Sequence, residues 1–194
     1  AMGNSTWASL GERFLATAYG AMTNRPNFLG FVYLEDHRIR GFIAGSTDPH
    51  NMMGEMFRRA WFLLGPAALP NGLRPDVLWK LLQTPNYKRI SDRVNLPGPV
   101  PAESLFCSFE PALRGKKVSG AINKVLFDEL LARGHRHVKI TTEADNVEAN
   151  RQLRSWGFVD CGHFRFYGKE MITYVLDLEA SPRVDPVSRH PSVE

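Results

Sequence analysis

The order of strand-like and helix-like segments between residues 103 and 178 constrains the fold of this chain most strongly. A strand leads through a turn into a helix, and a second strand and a second helix follow. A strand that is joined to the next strand through a helix favours a parallel crossover within one sheet. The successive elements are a strand at 104–109, a helix from Gly120 to Arg133, a strand at 137–142, a helix from Asp145 or Asn146 to Trp156, and strands at 158–165 and 171–178.

The region before residue 47 adds a helix and a β-hairpin to this pattern. Ser9 and Glu12 have the spacing of a capping box at a helix start. Strands at 28–35 and 39–46 then form a hairpin. The sequence therefore predicts an α/β (α+β) fold with a mixed, mostly antiparallel central sheet and flanking helices. Apolar residues of the first helix recur at helical spacing at Leu10, Phe14, Ala18 and Met22.

Residues 48–100 differ in character from their surroundings. A helix from Asp48 to about Leu64 carries methionine and aromatic side chains on one wide face, and a short helix at 76–82 and a proline-rich connection follow. We therefore expect a helical insertion between two strands of the sheet. Beyond Ala180 the chain has three prolines and no apolar period, which predicts a single domain over 1–180 and a flexible tail over 181–194.

Composition excludes several classes of protein. The chain has 194 residues, of which 43% are hydrophobic and 23% charged, so disorder is excluded as its main state. No apolar run reaches the roughly 18 residues of a transmembrane helix. Two cysteines are too few for a disulfide scaffold or a structural zinc site, so we expect a reduced, cytoplasmic protein in which Cys107 is a small core residue. His135 and His137 have no third ligand nearby, so we expect no metal.

The turn at 111–121 is the stretch that most suggests a ligand. A strand that feeds a turn into a helix N-terminus presents free N–H groups to an anion. Arg114, Lys116 and Lys117 add positive charge there, and Ser119 adds a hydroxyl. The spacing matches neither a P-loop nor a Rossmann fingerprint. An ordinary basic turn stays open as the alternative.

The second helix of the crossover carries a further motif. Asn146 and Ala149 open this helix, and Gly157 and Phe158 follow it. With Arg114 before the first helix, this order resembles the GNAT N-acetyltransferase superfamily over residues 103–178. The resemblance extends to residues 9–46, which would supply the first helix and the second and third strands of the family fold, while its first strand is not evident in the sequence. The chain departs from the family pattern at three positions. The family prefers glycine at the position of Lys117 and glycine or alanine at that of Ser119, and it often has a tyrosine at the position of Leu153.

The resemblance implies acetyl-CoA as co-substrate. Its pyrophosphate would lie on the backbone N–H groups from Lys116 to Ala121, and its pantetheine would run between the strands at 105–109 and 137–142. Asn146 would cap the last helix or bind the pantetheine. The cofactor-binding residues that the resemblance implies are Cys107, Phe109, Arg114, Gly115, Lys116, Lys117, Val118, Ser119, Gly120, Ala121 and Asn146.

The resemblance also implies direct transfer of an acetyl group to an amine. One N–H near Cys107 to Phe109 would polarise the thioester carbonyl. Glu103, at the start of its strand, is the candidate base, with a surface carboxylate as the alternative. Tyr167 is a candidate acid, and a tyrosine that packs at the sheet edge is the alternative.

Two functions follow from these expectations. The first is an acyl-CoA-dependent N-acetyltransferase that acts on a primary amine of a small molecule, a sugar or a protein. The second is a catalytically silent module that binds CoA or a protein partner. The insertion at 48–100 could form an extra core, line an acceptor cavity, contact a second copy in a homodimer, or bind a lipid-like surface. The net charge of +4 permits a nucleic-acid partner, but no binding motif supports one.

Overall fold

Six strands form one sheet in the structure, a computed structural model that describes residues 11–56, 58, 94–113, 115–166 and 168–184. The strand order is β1-β2-β3-β4-β6-β5, and every neighbouring pair is antiparallel except β3 with β4. The predicted mixed, mostly antiparallel sheet with flanking helices is therefore confirmed. The strands are β1 Phe28–Glu35, β2 Arg38–Ser46, β3 Glu103–Phe109, β4 His137–Glu143, β5 Val159–Phe166 and β6 Lys169–Asp177.

The helices occupy the positions that the apolar spacing predicts. Where the sequence suggests a capping box from Ser9, however, the first helix begins at Glu12 and Gly11, at φ 94°, is its N-cap residue. Glu12 is thus the first helical residue and not the third, so it cannot close a capping box with Ser9. The helices are α1 Glu12–Thr23, α2 at 49–56, α3 Val118–Ala132 and α4 Val147–Ser155, with a 3-10 turn at Pro111–Leu113.

Two hydrophobic clusters hold the helices in place. The smaller one joins α1 to α2 through Phe14, Ala18, Met22, Met52 and Met56. The larger one packs α3 and the end of α4 on the sheet, and its fully buried members include Leu126, Leu130 and Val138. Apolar burial of this kind is the main favourable term in folding. It therefore fixes α3 and the end of α4 relative to the sheet.

Part of the predicted insertion is described. Asp48 accepts a hydrogen bond from the backbone N–H of Asn51 at the start of α2, as expected for a helix that begins there. The remainder of that predicted helix to Leu64, and the helix at 76–82, lie outside the described residues. At the far end of the insertion, Asn95 N–H donates to the Cys161 carbonyl at 2.8 Å, which attaches this segment to β5.

The first residues of the predicted tail, 181–184, pack against the rest of the protein. Ser181 is buried, the Arg183 guanidinium lies 5.3 Å from the centre of the Trp156 ring, and Val184 packs against the larger cluster. A cation over an aromatic ring is an attractive contact that the apolar period of a sequence does not reveal. Residues 185–194 lie outside the described part of the chain.

Candidate functional site

Strands β3 and β4 separate in the middle of the sheet. They pair at two positions, Glu103 with Lys139 and Ser104 with Ile140, although both strands lie wholly within the described residues. On their outer sides, β3 pairs with β2 as far as Phe109, and β4 pairs with β6 as far as Glu143. The two strands therefore bound a cleft whose facing peptide groups are available to an extended ligand.

A β-bulge lies at the closed end of this cleft. The register of β2 with β3 shifts between Ala44 and Gly45, which face Phe106 and Ser104, so Leu105 has no partner on β2. A bulge bends its strand and increases the local twist. The bend at Leu105 coincides with the point where β3 leaves β4.

The N-terminus of α3 lies at the end of β3, beyond the open end of the cleft. The first backbone hydrogen bond of this helix runs from Ala121 N–H to the Lys117 carbonyl at 3.2 Å. Helix geometry leaves the N–H groups of Val118, Ser119 and Gly120 without a helical acceptor. These groups and the helix dipole favour an anion. Arg114, which the sequence adds to this site, lies outside the described residues.

The turn into α3 uses left-handed backbone at two positions. Gly115 has φ 78°, and Lys117, the N-cap residue, has φ 60° and ψ 8°. Glycine adopts this conformation without strain, whereas a residue with a Cβ pays for it. The chain therefore keeps, at Lys117, a conformation suited to the glycine that the family resemblance expects there. Lys116 and Lys117 are both exposed, so their charges can reach an anion at the helix end.

A hydrogen bond links the start of α3 to α4. The Ser119 hydroxyl donates to Gln152 Oε1 at 3.2 Å. Gly120 lies beside Trp156, because a Cβ built on it would be 3.9 Å from that ring. The sequence analysis does not identify Gln152 as a residue of this site, because its contact with Ser119 depends on how α4 packs against α3.

Two asparagines shape the entry to α4. Asn146 Oδ1 accepts a hydrogen bond from Ala149 N–H at 3.2 Å, so this side chain caps the helix. Asn150, which the sequence analysis does not single out, is buried and donates to the carbonyls of Glu143, Ala144 and Asn146. These bonds fix the turn between β4 and α4. The polar spacing of Asn146 and Asn150, one helical turn apart, was the available signal.

Glu103 lies inside the protein, and the surface alternative for it is wrong. Its residue is 4% exposed, and its carboxylate lies 3.4 Å from Lys139 Nζ, on a residue that is 6% exposed. Val138 and Ile140 pack on the α3 side of the sheet, so alternation along β4 places Lys139 on the opposite face. The ion pair therefore lies next to the closed end of the cleft, on the face away from α3.

Cys107 is exposed, which corrects its prediction as a core residue. The separation of β3 from β4 uncovers this part of the strand. Protein atoms around its sulfur still desolvate the thiolate, which raises the pKa of Cys107 to about 12 against an opposing hydrogen bond with Asn123. The side chain is thus a neutral thiol at physiological pH. Phe109, further along β3, packs against the larger hydrophobic cluster, so its backbone is the part available to a ligand.

Other candidate groups contribute little to the site. Tyr167 lies outside the described residues. His137 lies 3.8 Å from Asp177, which also binds Arg136. Over the described ranges, no group of three or more histidine, cysteine or acidic side chains is arranged to hold a metal ion. Among the helices that the structure describes, none is long and apolar enough to cross a membrane.

Comparison with solved structures identifies acetyltransferases of the same fold. The crystal structure of SsHAT superposes with a TM-score of 0.63 at 17% identity, over 89% of this chain and 80% of that one. A crystal structure described as an acetyltransferase gives 0.54 at 18% identity, over 84% and 78%. The ribosomal-protein-S18-alanine N-acetyltransferase from Escherichia coli gives 0.51 at 14% identity, over 82% and 74%. No protein-family model and no curated protein sequence matches the chain.

Proposed function

We propose that this protein transfers the acetyl group of acetyl-CoA to a primary amine of a small molecule, a sugar or a protein. One observation carries the proposal, which is the cleft between β3 and β4 with the N-terminus of α3 at the end of β3. A thioester arm with amide groups can pair with strand edges, and a pyrophosphate can bind a helix N-terminus. The fold shared with solved acetyltransferases supports the same conclusion.

The phosphates bind at the start of α3 in this proposal. The N–H groups of Val118, Ser119 and Gly120 point out of the helix end, and Lys116 and Lys117 supply mobile positive charge. The Ser119 hydroxyl donates a hydrogen bond to Gln152 in the structure, so its side chain must rotate before it can donate to a phosphate. Gly115, Ala121 and Asn146 shape the turn and the two helix ends. Arg114 is retained as a proposed phosphate-binding charge on sequence grounds.

The thioester lies in the cleft, with its carbonyl polarised by an N–H between Cys107 and Phe109. An amine must lose its proton before or as it attacks the carbonyl carbon. We assign that proton to Glu103, whose carboxylate lies beside the closed end of the cleft. The buried Glu103 carboxylate, 3.4 Å from Lys139 Nζ, supplies the oxygen that accepts this proton. Tyr167 is retained as a second proposed catalytic group on sequence grounds.

One domain over 1–180 is part of the proposal. Helix α1, the β1–β2 hairpin and the elements from β3 to β6 all pack on one sheet, which supports a single unit with the insertion at 48–100.

Acetyl-CoA binding tests the proposal directly. A ligand that binds only the folded state at one hundred times its Kd stabilises it by about 2.7 kcal/mol. For a chain of this length we expect the melting temperature to rise by about 5–10 °C. Desulfo-CoA should give most of this shift, and ATP, which lacks the pantetheine arm, should give little.

The possible results separate the two functions. A shift followed by turnover with one of a panel of amines supports the transferase. A shift without turnover across small amines, aminosugars and peptides supports a silent CoA-binding module. No shift with millimolar acetyl-CoA overturns the proposal.

A further inference from the structure

Strand β1 is an edge of the sheet that carries few of the features by which proteins protect such edges. Among the strands that the structure describes, it pairs with β2 alone. Residues 28–34 contain no charged residue and no proline. An apolar edge of this kind is a template for another strand, and soluble proteins commonly block it with charges, prolines, bulges or a covering segment.

The opposite edge of the sheet, β5, is protected in three ways. Its register with β6 shifts between Asp160 and Gly162, which marks a bulge. The Asn95 N–H donates to the Cys161 carbonyl at 2.8 Å, so the end of the insertion covers part of this strand. Asp160 and Arg165 place charges along it. All three features keep an edge from pairing, so of the two described edges β1 is the one open to another strand.

The peptide groups that β1 presents outward belong to its even-numbered residues. The Asn27 carbonyl accepts a hydrogen bond from the Thr47 N–H at 3.0 Å, one position before the pair of Phe28 with Ser46. Hydrogen-bonded and non-hydrogen-bonded pairs alternate along an antiparallel ladder, so the odd-numbered residues of β1 bond to β2. The N–H and C=O groups of residues 28, 30, 32 and 34 therefore point away from β2.

The same part of the sheet carries an exposed apolar strip. Leu29 belongs to the larger hydrophobic cluster, which contains α3, so alternation places the even-numbered side chains of β1 on the opposite face. Val32 is 53% exposed and Leu34 is 56% exposed. Ile39, which faces Leu34 on β2, is 63% exposed. Open peptide groups and exposed apolar side chains thus occur together at this edge, and burial of the apolar strip would favour association.

We propose that β1 pairs antiparallel with β1 of a second copy of this chain, about a two-fold axis at Phe31. An axis normal to the sheet keeps each face on its own side, so even-numbered residues meet even-numbered residues. Val32 of each copy then faces Gly30 of the other, and Leu34 faces Phe28. The Phe28 ring lies over Gly30, because a Cβ built on Gly30 would be 2.7 Å from that ring. Both aliphatic side chains therefore gain an aromatic contact.

A second copy fits this edge for two reasons. The pairing is isologous, so it joins both open edges at once and leaves the protected β5 strands outermost. The charges at the two ends of β1 are also complementary. Glu35 and Asp36 follow the strand, whereas Arg25 and Arg133, which donates to the Pro26 carbonyl at 3.3 Å, lie at its start. Each arginine also pairs with a glutamate of its own chain, so the attraction adds to the apolar contact without replacing it.

Sedimentation equilibrium from micromolar to near-millimolar protein tests the proposal, with Val32→Lys compared with Val159→Lys. Val159 is the matched control, because it is 64% exposed and lies on β5. Wild type and Val159→Lys should dimerise with a Kd on the order of 10 µM, as expected for an interface below standard size. Val32→Lys should raise the Kd by about 100-fold or more, because the ammonium groups of the two copies lie diagonally on one face, about 7–8 Å apart. Both positions are exposed, so the melting temperature of the monomer should not change.

A charge variant tests the orientation of the pairing. Asp36→Lys should raise the dimer Kd several-fold, because it places a cation beside Arg25 and Arg133 of the other copy, and added salt should reduce this difference. A wild type that stays monomeric at every concentration overturns the proposal. So does a Kd that Val32→Lys leaves unchanged, or that Val159→Lys raises equally. The inference is independent of acetyl transfer, since none of these measurements uses acetyl-CoA.

Discussion

The two halves of β3 differ in the neighbouring strands with which they pair. At its start, Glu103 and Ser104 are buried, paired with β4 on one side and with β2 on the other. From Phe106 to Phe109 the strand keeps its β2 partners but has none on β4, and Cys107 is exposed. One strand thus provides a fixed anchor at one end and an open edge at the other. The anchor determines where the edge begins.

The difference shows why a cleft can lie within the sheet without destabilising it. The open half of β3 has no ladder hydrogen bonds to β4. The closed half next to it has these bonds and also contains a buried ion pair between Glu103 and Lys139. Such a pair adds little net stability as a whole, because both charges are desolvated. Removing only one partner is costly, because the other charge is then left buried and unpaired. We therefore expect the pair to specify the register of β3 with β4 more than it stabilises the sheet.

Lys139→Met should give the largest effect, because it removes the cation that faces a buried carboxylate. We expect a loss of about 3–5 kcal/mol in the free energy of unfolding, measured by urea denaturation. Lys169→Met is the control, since Lys169 forms a 2.6 Å pair with Glu143 that is exposed on both sides. That change should cost about 0–1 kcal/mol. Similar losses for both variants would mean that the closed half of β3 is not anchored by its buried charge.

Glu103→Gln separates the chemical role of the anchor from its structural role. The amide keeps the size of the side chain but cannot accept a proton from the amine. We expect kcat to fall by about 100-fold with near-constant acetyl-CoA affinity, and the acidic limb of the pH–rate profile to disappear. Steady-state kinetics and calorimetric titration of acetyl-CoA measure the two quantities. Unchanged turnover with a good acceptor would remove Glu103 from the mechanism.

Sequence patterns predicted the parts of this molecule that depend on local spacing. The element order over 103–178 predicted the parallel crossover, and the position of Asp145 and Asn146 before a helical segment predicted a cap, which the structure assigns to Asn146. A basic turn before a helix likewise predicts an anion site at α3, and the structure places the exposed Lys116 and Lys117 at that helix start.

Contacts between distant residues could not be predicted in the same way. Glu103 meets Lys139 only because β3 and β4 pair in one particular register, and Ser119 meets Gln152 only through the placement of α4. The exposure of Cys107 follows from strand separation, which apolar composition does not encode.

The smallest expected effect concerns the turn beyond the open half of β3. Lys117 has a positive φ, and Lys116, its neighbour, is not among the residues with positive φ. Lys117→Gly should relieve left-handed strain of about 1–2 kcal/mol, offset in part by the greater freedom of glycine in the unfolded chain.

The net result for Lys117→Gly should be a gain of about 0.5 kcal/mol. Lys116→Gly removes the same charge from an unstrained position, so it should cost about 0.4–1 kcal/mol. Because both variants lose one positive charge at the α3 N-terminus, their acetyl-CoA affinities should fall by similar factors, and only the sign of the stability change should differ. Equal destabilisation by both would show that the turn at Lys117 stores no strain. In that case only the start of β3, with its buried ion pair, would differ energetically from an ordinary strand, and the turn after its open end would be unstrained.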